Sequence, residues 1–328
     1  MHHLVIGEGQ IGRAIIERAL ADGDEVTVLR RTSVPSSPGI RRVSGDVLDP
    51  AALAEAITGA DAVQACFHAP YDARLWARDL PPRELAVLDA AADRGIPVVF
   101  PESMYGFQGE AADLVEGAEP TPRDPKGAVR TTLLAQRRDH RARTLSLVAA
   151  DLIGPSAVGT GAAVVCTMIL ERLGAGSRPI AIGDPAAPHS LTSIPDLAVA
   201  MLHAARRAEH LAPDGDAVLH APSAPARSQS ELIAAASALR GIRERRPLRI
   251  PRLALRLLAP VSTLARELHG IGDLWYRPCV LRPGVLSTQE GLAPTPWEES
   301  VRVTAEAVDA ARARAGTEGS TTATTVAP

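Results

Sequence analysis

The chain has 328 residues, 46% of them hydrophobic and 3% aromatic, with a formal charge of -3 at neutral pH. That length holds one large α/β domain, or a nucleotide domain with a smaller lobe, without disulfide or metal staples. A near-neutral balance speaks against nucleic acid as a partner, and no apolar run approaches the ~18 residues of a membrane span. The sequence enters an apolar strand at once, leaving no room for a signal peptide, so a cytoplasmic location is the expectation. Cys66, Cys166 and Cys279 lie far apart without CxxC spacing or a neighbouring histidine cluster, so neither a disulfide framework nor a metal site is expected.

The first element is the apolar run Leu4-Val5-Ile6, followed by Gly7-Glu8-Gly9-Gln10-Ile11-Gly12 and by a helical pattern whose Ile11, Ile15, Ile16, Ala19 and Leu20 share one face. Strand, glycine turn and helix in this order form a dinucleotide-binding signature. The first glycine supplies unusual backbone angles, the second lets a pyrophosphate approach, and the third lets helix and strand pack closely. The helix start, with Gln10 and Ile11, presents unpaired amides to the phosphates.

Glu25 to Leu29 reads as the second strand and ends at Arg30 and Arg31, with no carboxylate at its tip. A carboxylate there would bind a ribose diol, whereas arginine pairs with a 2′-phosphate, so NADP(H) is expected over NAD(H). Arg41 to Val43 reads as the third strand. Beyond it, Asp46 is placed to accept a hydrogen bond from adenine and Val47 to pack on the ring, while Asp46 or Asp49 caps a helix over Ala51 to Thr58. Ala62 to Phe67 is the fourth strand, and His68 and Ala69 after it pass near the ribose and nicotinamide side. His68 there is either an acid–base group or a structural hydrogen-bonding residue. A helix over Arg83 to Arg94 and strands at Pro97 to Phe100 and Thr144 to Ala149 complete an alternation that implies a Rossmann-type, doubly wound parallel sheet.

After Asp151 the pattern loosens into short elements separated by proline and glycine, then a helix-rich stretch over Ser228 to Arg314. Residues 1–150 are thus expected to form the dinucleotide domain. Residues 151–314 are expected to form mainly a smaller substrate lobe, with returns to the main sheet open, and 315–328 a disordered tail. The arginine-rich stretches Arg137 to Arg143 and Arg240 to Arg256 lack interleaved aromatics and read as solvated helix faces.

These residues, together with Ser103-Met104-Tyr105-Gly106, Asp151-Leu152-Ile153-Gly154-Pro155, Gly183-Asp184 and His189 to Ala198, resemble the extended short-chain dehydrogenase/reductase family, in its NAD-dependent epimerase/dehydratase branch. The resemblance implies hydride chemistry with a Ser or Thr and a YxxxK pair, the lysine lowering the tyrosine pKa and holding the nicotinamide ribose. This sequence departs there, because Lys126 stands at the tyrosine position and Arg130 at the lysine position. Lys126 and Tyr105 are then the two candidates for proton transfer, with Ser103 orienting a substrate oxygen and Arg130 meeting ribose or phosphate. His189 is a candidate substrate contact, and Trp275 and Tyr276 form either a substrate wall or core packing.

The expected activity is that of an NADP(H)-dependent oxidoreductase or epimerase/dehydratase-like enzyme on a small organic substrate, a sugar derivative or a secondary metabolite. Two alternatives remain: a non-redox isomerase, lyase or cyclase with a structural cofactor, and a catalytically inactive NADP-sensing regulatory protein. No nucleic-acid or membrane partner is expected, and the family resemblance allows a homodimer.

Overall fold

The computed structural model describes residues 1–32 and 34–322. Its centre is a seven-stranded, all-parallel sheet of β1 (His2–Ile6), β2 (Glu25–Arg30), β3 (Ile40–Ser44), β4 (Ala62–Ala65), β5 (Val98–Ser103), β6 (Thr144–Ala149) and β7 (Asp216–His220). The spatial order is β7-β6-β5-β4-β1-β2-β3. Parallel strands covered on both faces read as unbroken apolar runs, and β1 shows why: Val5 packs to one side, Leu4 and Ile6 to the other.

Five helices cover the sheet: α1 (Gln10–Ala21), α2 (Pro50–Ala56), α3 (Ala73–Ala92), α4 (Pro125–Arg138) and α5 (Ile194–Arg206). The face with α1 and α5 is filled by Ile15, Ile16, Leu197, Met201 and Leu202; the opposite face takes Leu53 of α2 with Val87 and Leu88 of α3. The helix expected from Arg83 begins ten residues earlier, at Ala73, and runs through Pro81 and Pro82. Two prolines in a row read as a break. The Gln136 side chain donates to Pro81 O, one of the groups that join α3 to α4.

The C-terminal half returns to the main body through α5 and β7, and β7 pairs with β6 along residues 216–220. The rest forms a lobe of three two-stranded ladders and short helices around Leu173, Ile182, Leu232, Leu268, Trp275 and Val301. Within it lie α6 (Gln229–Leu239), α7 (Arg252–Leu258), α8 (Thr263–Gly270) and the last helix, α9 (Trp297–Thr322). Helix α9 extends into the segment expected to be a disordered tail from 315, and 323–328 lie outside the described residues.

Beneath the site, the sheet and the α3–α4 layer are joined by charge. Arg137, 1% exposed, forms a fork with both oxygens of Glu84 at 2.6 and 2.8 Å and donates to Glu102 Oε2 at 2.9 Å and Ser146 Oγ at 3.0 Å. Its guanidinium also covers the Phe100 ring at 3.9 Å. The arginine read as part of a solvated face is therefore the most enclosed cation of its stretch, because position 137 falls on the inner side of α4. Removing one partner of such a network strands the other charges, so Arg137→Met is expected to destabilise the fold by about 3–5 kcal/mol, measured as the unfolding free energy in urea.

Candidate functional site

The glycine turn carries three separable demands. Gly7 has φ +94° and lies so close to β4 that a Cβ would sit 2.9 Å from Cys66 O. A Cβ on Gly12 would lie 2.0 Å from Gly7 O, which fixes the close approach of α1 to the turn. A Cβ on Gly9 would meet nothing within 4 Å, which leaves open space where a phosphate group can approach. Gly9 is the N-cap of α1 and no side chain caps it, so the amides of Gln10, Ile11 and Gly12 have no intrahelical acceptor. This cradle fits a dinucleotide pyrophosphate on backbone grounds alone.

Two cavities meet at this turn and share Gly9, Cys66, Phe67 and His68. The smaller, about 310 Å³, is bounded by Arg30, Arg31, Asp46, Val47 and Arg83, the adenosine end expected from sequence. The structure corrects the charge reading there. Glu8, from the glycine turn, reaches Arg30 Nη1 at 2.6 Å and Arg42 Nη2 at 3.1 Å, so a carboxylate does stand at the tip of β2. Burial alone would raise the Glu8 carboxyl, but the two guanidinium groups hold it below its ordinary value. Arg30 is thus neutralised, while no described carboxylate pairs with Arg31. Asp46 accepts from Leu48 N at 3.1 Å and faces Arg83 at 3.5 Å, and Asp49 is the cap of α2. Glu8, Arg42 and Arg83 escaped the sequence reading because they come from three separate segments; a charged residue inside the glycine turn was the one available signal.

The larger cavity, about 820 Å³, runs from Gly9, Gln10 and Ile11 beneath the lobe. His68, Ala69, Tyr71, Trp76, Tyr105 and Arg130 line its sheet side. Arg130 Nη2 lies 2.7 Å from His68 Nε2, and His68 Nδ1 lies 2.8 Å from Ala69 O. A guanidinium can only donate and a carbonyl can only accept, so His68 is the neutral tautomer with its proton on Nδ1. Burial and the Arg130 charge push its pKa down to about 4. With its lone pair taken by Arg130 and its Nδ1 proton by Ala69 O, His68 positions Arg130. Arg130 Nε is 3.4 Å from Glu102 Oε1 but makes no hydrogen bond among the described residues, which leaves a buried donor at the cavity wall. Cys66 is held as a thiol, pushed up to about 12 by burial.

Lys126 is not placed as an acid facing the cavity. It is fully buried and its Nζ donates to Glu267 Oε2 at 2.7 Å and Glu267 O at 2.8 Å, on α8 of the lobe. Burial lowers its pKa, opposed by Glu267 and Asp124, and its Nζ also lies 4.5 Å from the centre of the Tyr71 ring. It pins α4 to the lobe. Ser103 likewise turns inward, with its amide 2.7 Å and its hydroxyl 3.4 Å from Glu102 Oε1. Neither residue lines either of the two cavities.

Tyr105 does face the cavity, and its hydroxyl lies 3.3 Å from that of Tyr71. Burial pushes Tyr105 up to about 12, while the hydrogen bond from Tyr71 and the Arg130 charge pull the other way. Tyr71, which no pattern in the sequence singled out, is brought here by the turn before α3. The ring of Trp76 stacks on Tyr105 at 6.0 Å and meets His68 edge-on at 4.6 Å.

The three expected substrate contacts lie elsewhere. His189 stacks on Trp275 at 4.2 Å, both buried in the lobe core, and Tyr276 donates to Ile250 O at 2.7 Å. Their aromatic character serves packing, and none of them reaches the cavity. The lobe wall is made instead by Leu152, Val164, Met168, Ile182, Leu264 and Leu268, with the small residues Gly159 to Ala162 near the helix start. Thr160 Oγ1 lies 3.4 Å from Gln10 Oε1, linking that loop to the glycine turn. Among the described residues no group of three or more His, Cys, Asp or Glu is arranged to hold a metal, and no helix is long and apolar enough to cross a membrane.

Buried neutral histidines make stability fall in acid. His68 and His189 stay unprotonated in the fold down to about 4, whereas in the unfolded chain they take up protons near 6.5. The unfolded state therefore binds more protons between those values, and each histidine subtracts up to roughly 3 kcal/mol as pH falls from 6.5 to 4. Asp151, raised by burial to about 6, works in the opposite sense over part of that window. In His189→Gln the loss of unfolding free energy on acidification is expected to be smaller than in the unchanged protein, measured by urea titrations across that range.

A family model described as NAD(P)H-binding matches residues 7–139. In structure the chain is similar to a UDP-glucose 4-epimerase from Thermotoga maritima solved with UDP-glucose, at 18% identity and a TM-score of 0.72, over 95% of this chain and 100% of that one. It is also similar to MoeE5 in complex with UDP-glucose and NAD, at 18% identity, a TM-score of 0.73 and the same coverage. A third likeness is to the Thermus thermophilus UDP-glucose 4-epimerase in complex with NAD, at 20% identity and a TM-score of 0.66, over 94% of this chain and 99% of that one. No curated protein matches the chain. Sheet order and these likenesses converge: the chain has the fold of these epimerase structures, and the glycine turn opens the segment that the NAD(P)H-binding model matches.

Proposed function

We propose that the protein is an NADP(H)-dependent oxidoreductase or epimerase/dehydratase-like enzyme acting on a small, uncharged, largely apolar organic molecule, and that Tyr105, assisted by Tyr71, moves the proton. The carrying observation is the Tyr71–Tyr105 hydroxyl pair, set in the same cavity that reaches the open Gly9 cradle. A nicotinamide dinucleotide supplies hydride transfer when bound. The protein supplies a phenol that exchanges a proton with a carbonyl or alcohol oxygen, a second hydroxyl that stabilises the phenolate, and the Arg130 charge beside it. Trp76 stacks on Tyr105, and His68 holds Arg130 in place.

Two of the similar structures hold UDP-glucose, but none of the lobe residues that line this cavity carries a charge, and a diphosphate calls for cations. Of the two substrate classes expected from sequence, the apolar secondary metabolite is the better match. A non-redox isomerase or lyase using the same tyrosine pair is the second reading, supported by the loss of the tyrosine–lysine dyad to Lys126 and Arg130. Turnover with neither net nor transient change in nicotinamide absorbance would select it.

With a panel of apolar ketones and NADPH, Tyr105→Phe is expected to lower kcat by about 100-fold or more while leaving the NADPH Kd unchanged. Unchanged turnover would remove Tyr105 from the mechanism. For cofactor choice, Arg31 is the cation left to meet a 2′-phosphate, and a hydrogen bond to a charged group is worth about 1.5–3 kcal/mol. Arg31→Ala should weaken NADPH about tenfold or more with NADH unaffected, and Glu8→Gln, which releases Arg30, should tighten NADPH; both are read by fluorescence titration.

A further inference from the structure

The large apolar side chains that the fold leaves in water concentrate in one place. Leu248, Leu253, Leu257, Leu258, Val261 and Leu264 all fall within residues 248–264; Val261 is 84% exposed, Leu257 69% and Leu253 63%. These residues belong largely to α7, α8 and the turn between them. The inner side of the same hairpin is already satisfied by Leu255, Ala265 and Leu268, which enter the lobe core. The outer leucines are therefore surplus to folding, and a contiguous apolar face of this kind marks an interaction surface.

Its surroundings are cationic. Residues 240–266 contain eight arginines and one carboxylate, Glu244, in a chain whose overall charge is -3. Arg240, Arg249, Arg252 and Arg266 are ion-paired, but Arg243, Arg246 and Arg256 pair with no described carboxylate, and all three are exposed. The stretch read from sequence as a solvated face thus carries an apolar surface flanked by free guanidinium groups.

We infer that the α7–α8 hairpin docks on an anionic lipid surface, with its leucines in the acyl boundary and its arginines against the headgroups. Apolar side chains flanked by arginine are the composition of an interfacial anchor, and each basic residue near an anionic bilayer adds attraction. A second copy of this chain is the poorer occupant, because a two-fold contact would set the same arginines against each other. One further contact gives the surface a purpose. Leu264 is 53% exposed on the hairpin and also lines the substrate cavity, with Leu268 behind it, so the docked face opens into the site. An apolar substrate then passes from the bilayer to Tyr105 without crossing water, an extension that rests on the proposed function while the docking itself does not.

The test is flotation of the full chain with vesicles of phosphatidylcholine and phosphatidylglycerol, against phosphatidylcholine alone. Binding to the anionic vesicles is expected, weakened by salt. Leu257→Asp with Val261→Asp, and separately Arg243→Glu with Arg246→Glu, should each reduce the vesicle partition coefficient about tenfold or more. These residues are exposed and outside the cavity, so NADPH binding in every variant should stay unchanged and certifies the fold. No association with anionic vesicles, equal association in the variants, or a dimer in solution that the aspartate variant dissolves would each overturn the proposal. The Tyr105→Phe result stands or falls separately.

Discussion

Five groups in a row, Glu84, Arg137, Glu102, Arg130 and His68, run from α3 through α4 and β5 to the end of β4. Alternating charge lets two guanidinium groups and two carboxylates stay out of water, where each alone would cost several kcal/mol. The chain of contacts is neutral as a unit, and its last member is an imidazole whose protonation state is dictated by the arginine before it. Part of the wall of the larger cavity is built on this row, in which Arg130 Nε makes no hydrogen bond among the described residues. Such networks are worth more satisfied than their pairs suggest and are costly when partly satisfied.

The position at which the family resemblance implies a tyrosine shows what that network replaces. With Lys126 drawn into Glu267 and Asp124, its side chain ties the sheet domain to the lobe. Tyr71 and Tyr105 reach the cavity from the turn before α3 and the turn after β5, with Lys126 Nζ 4.5 Å from the Tyr71 ring. Where a YxxxK pair would stand on one helix, this chain ties Lys126 to the lobe and sets the Tyr71–Tyr105 hydroxyl pair on other elements.

Much of the fold was legible because parallel strands and their helices leave local signatures. Thr144–Ala149 was read to the residue, and β1, the glycine turn and α1 followed from spacing alone. What stayed hidden is long-range. Tandem prolines concealed the first half of α3, and the pairing of β7 with β6 depends on a register no local pattern carries. Of the residues named from position, Gly7, Gly9, Arg31, Val47 and Tyr105 line the two cavities. The partners that decide what the charges do, Glu8 to Arg30 and Glu267 to Lys126, are 22 and 141 residues distant in sequence. His189, Trp275 and Tyr276 were misplaced for the reverse reason, because aromatic residues in a lobe look alike whether they face a ligand or each other.

Strand β7 and helix α5 belong to the C-terminal half, yet one completes the edge of the sheet and the other seals the face that α1 leaves open. The boundary expected near residue 150 therefore does not separate two folding units. During synthesis, a nascent chain that has released only its first 150 residues exposes the bare edge of β6 and the apolar flank of α1, both of which invite non-native pairing. Protection of the dinucleotide half has to wait until about residue 220 has emerged, so vulnerability to aggregation is set by how quickly the ribosome covers that interval.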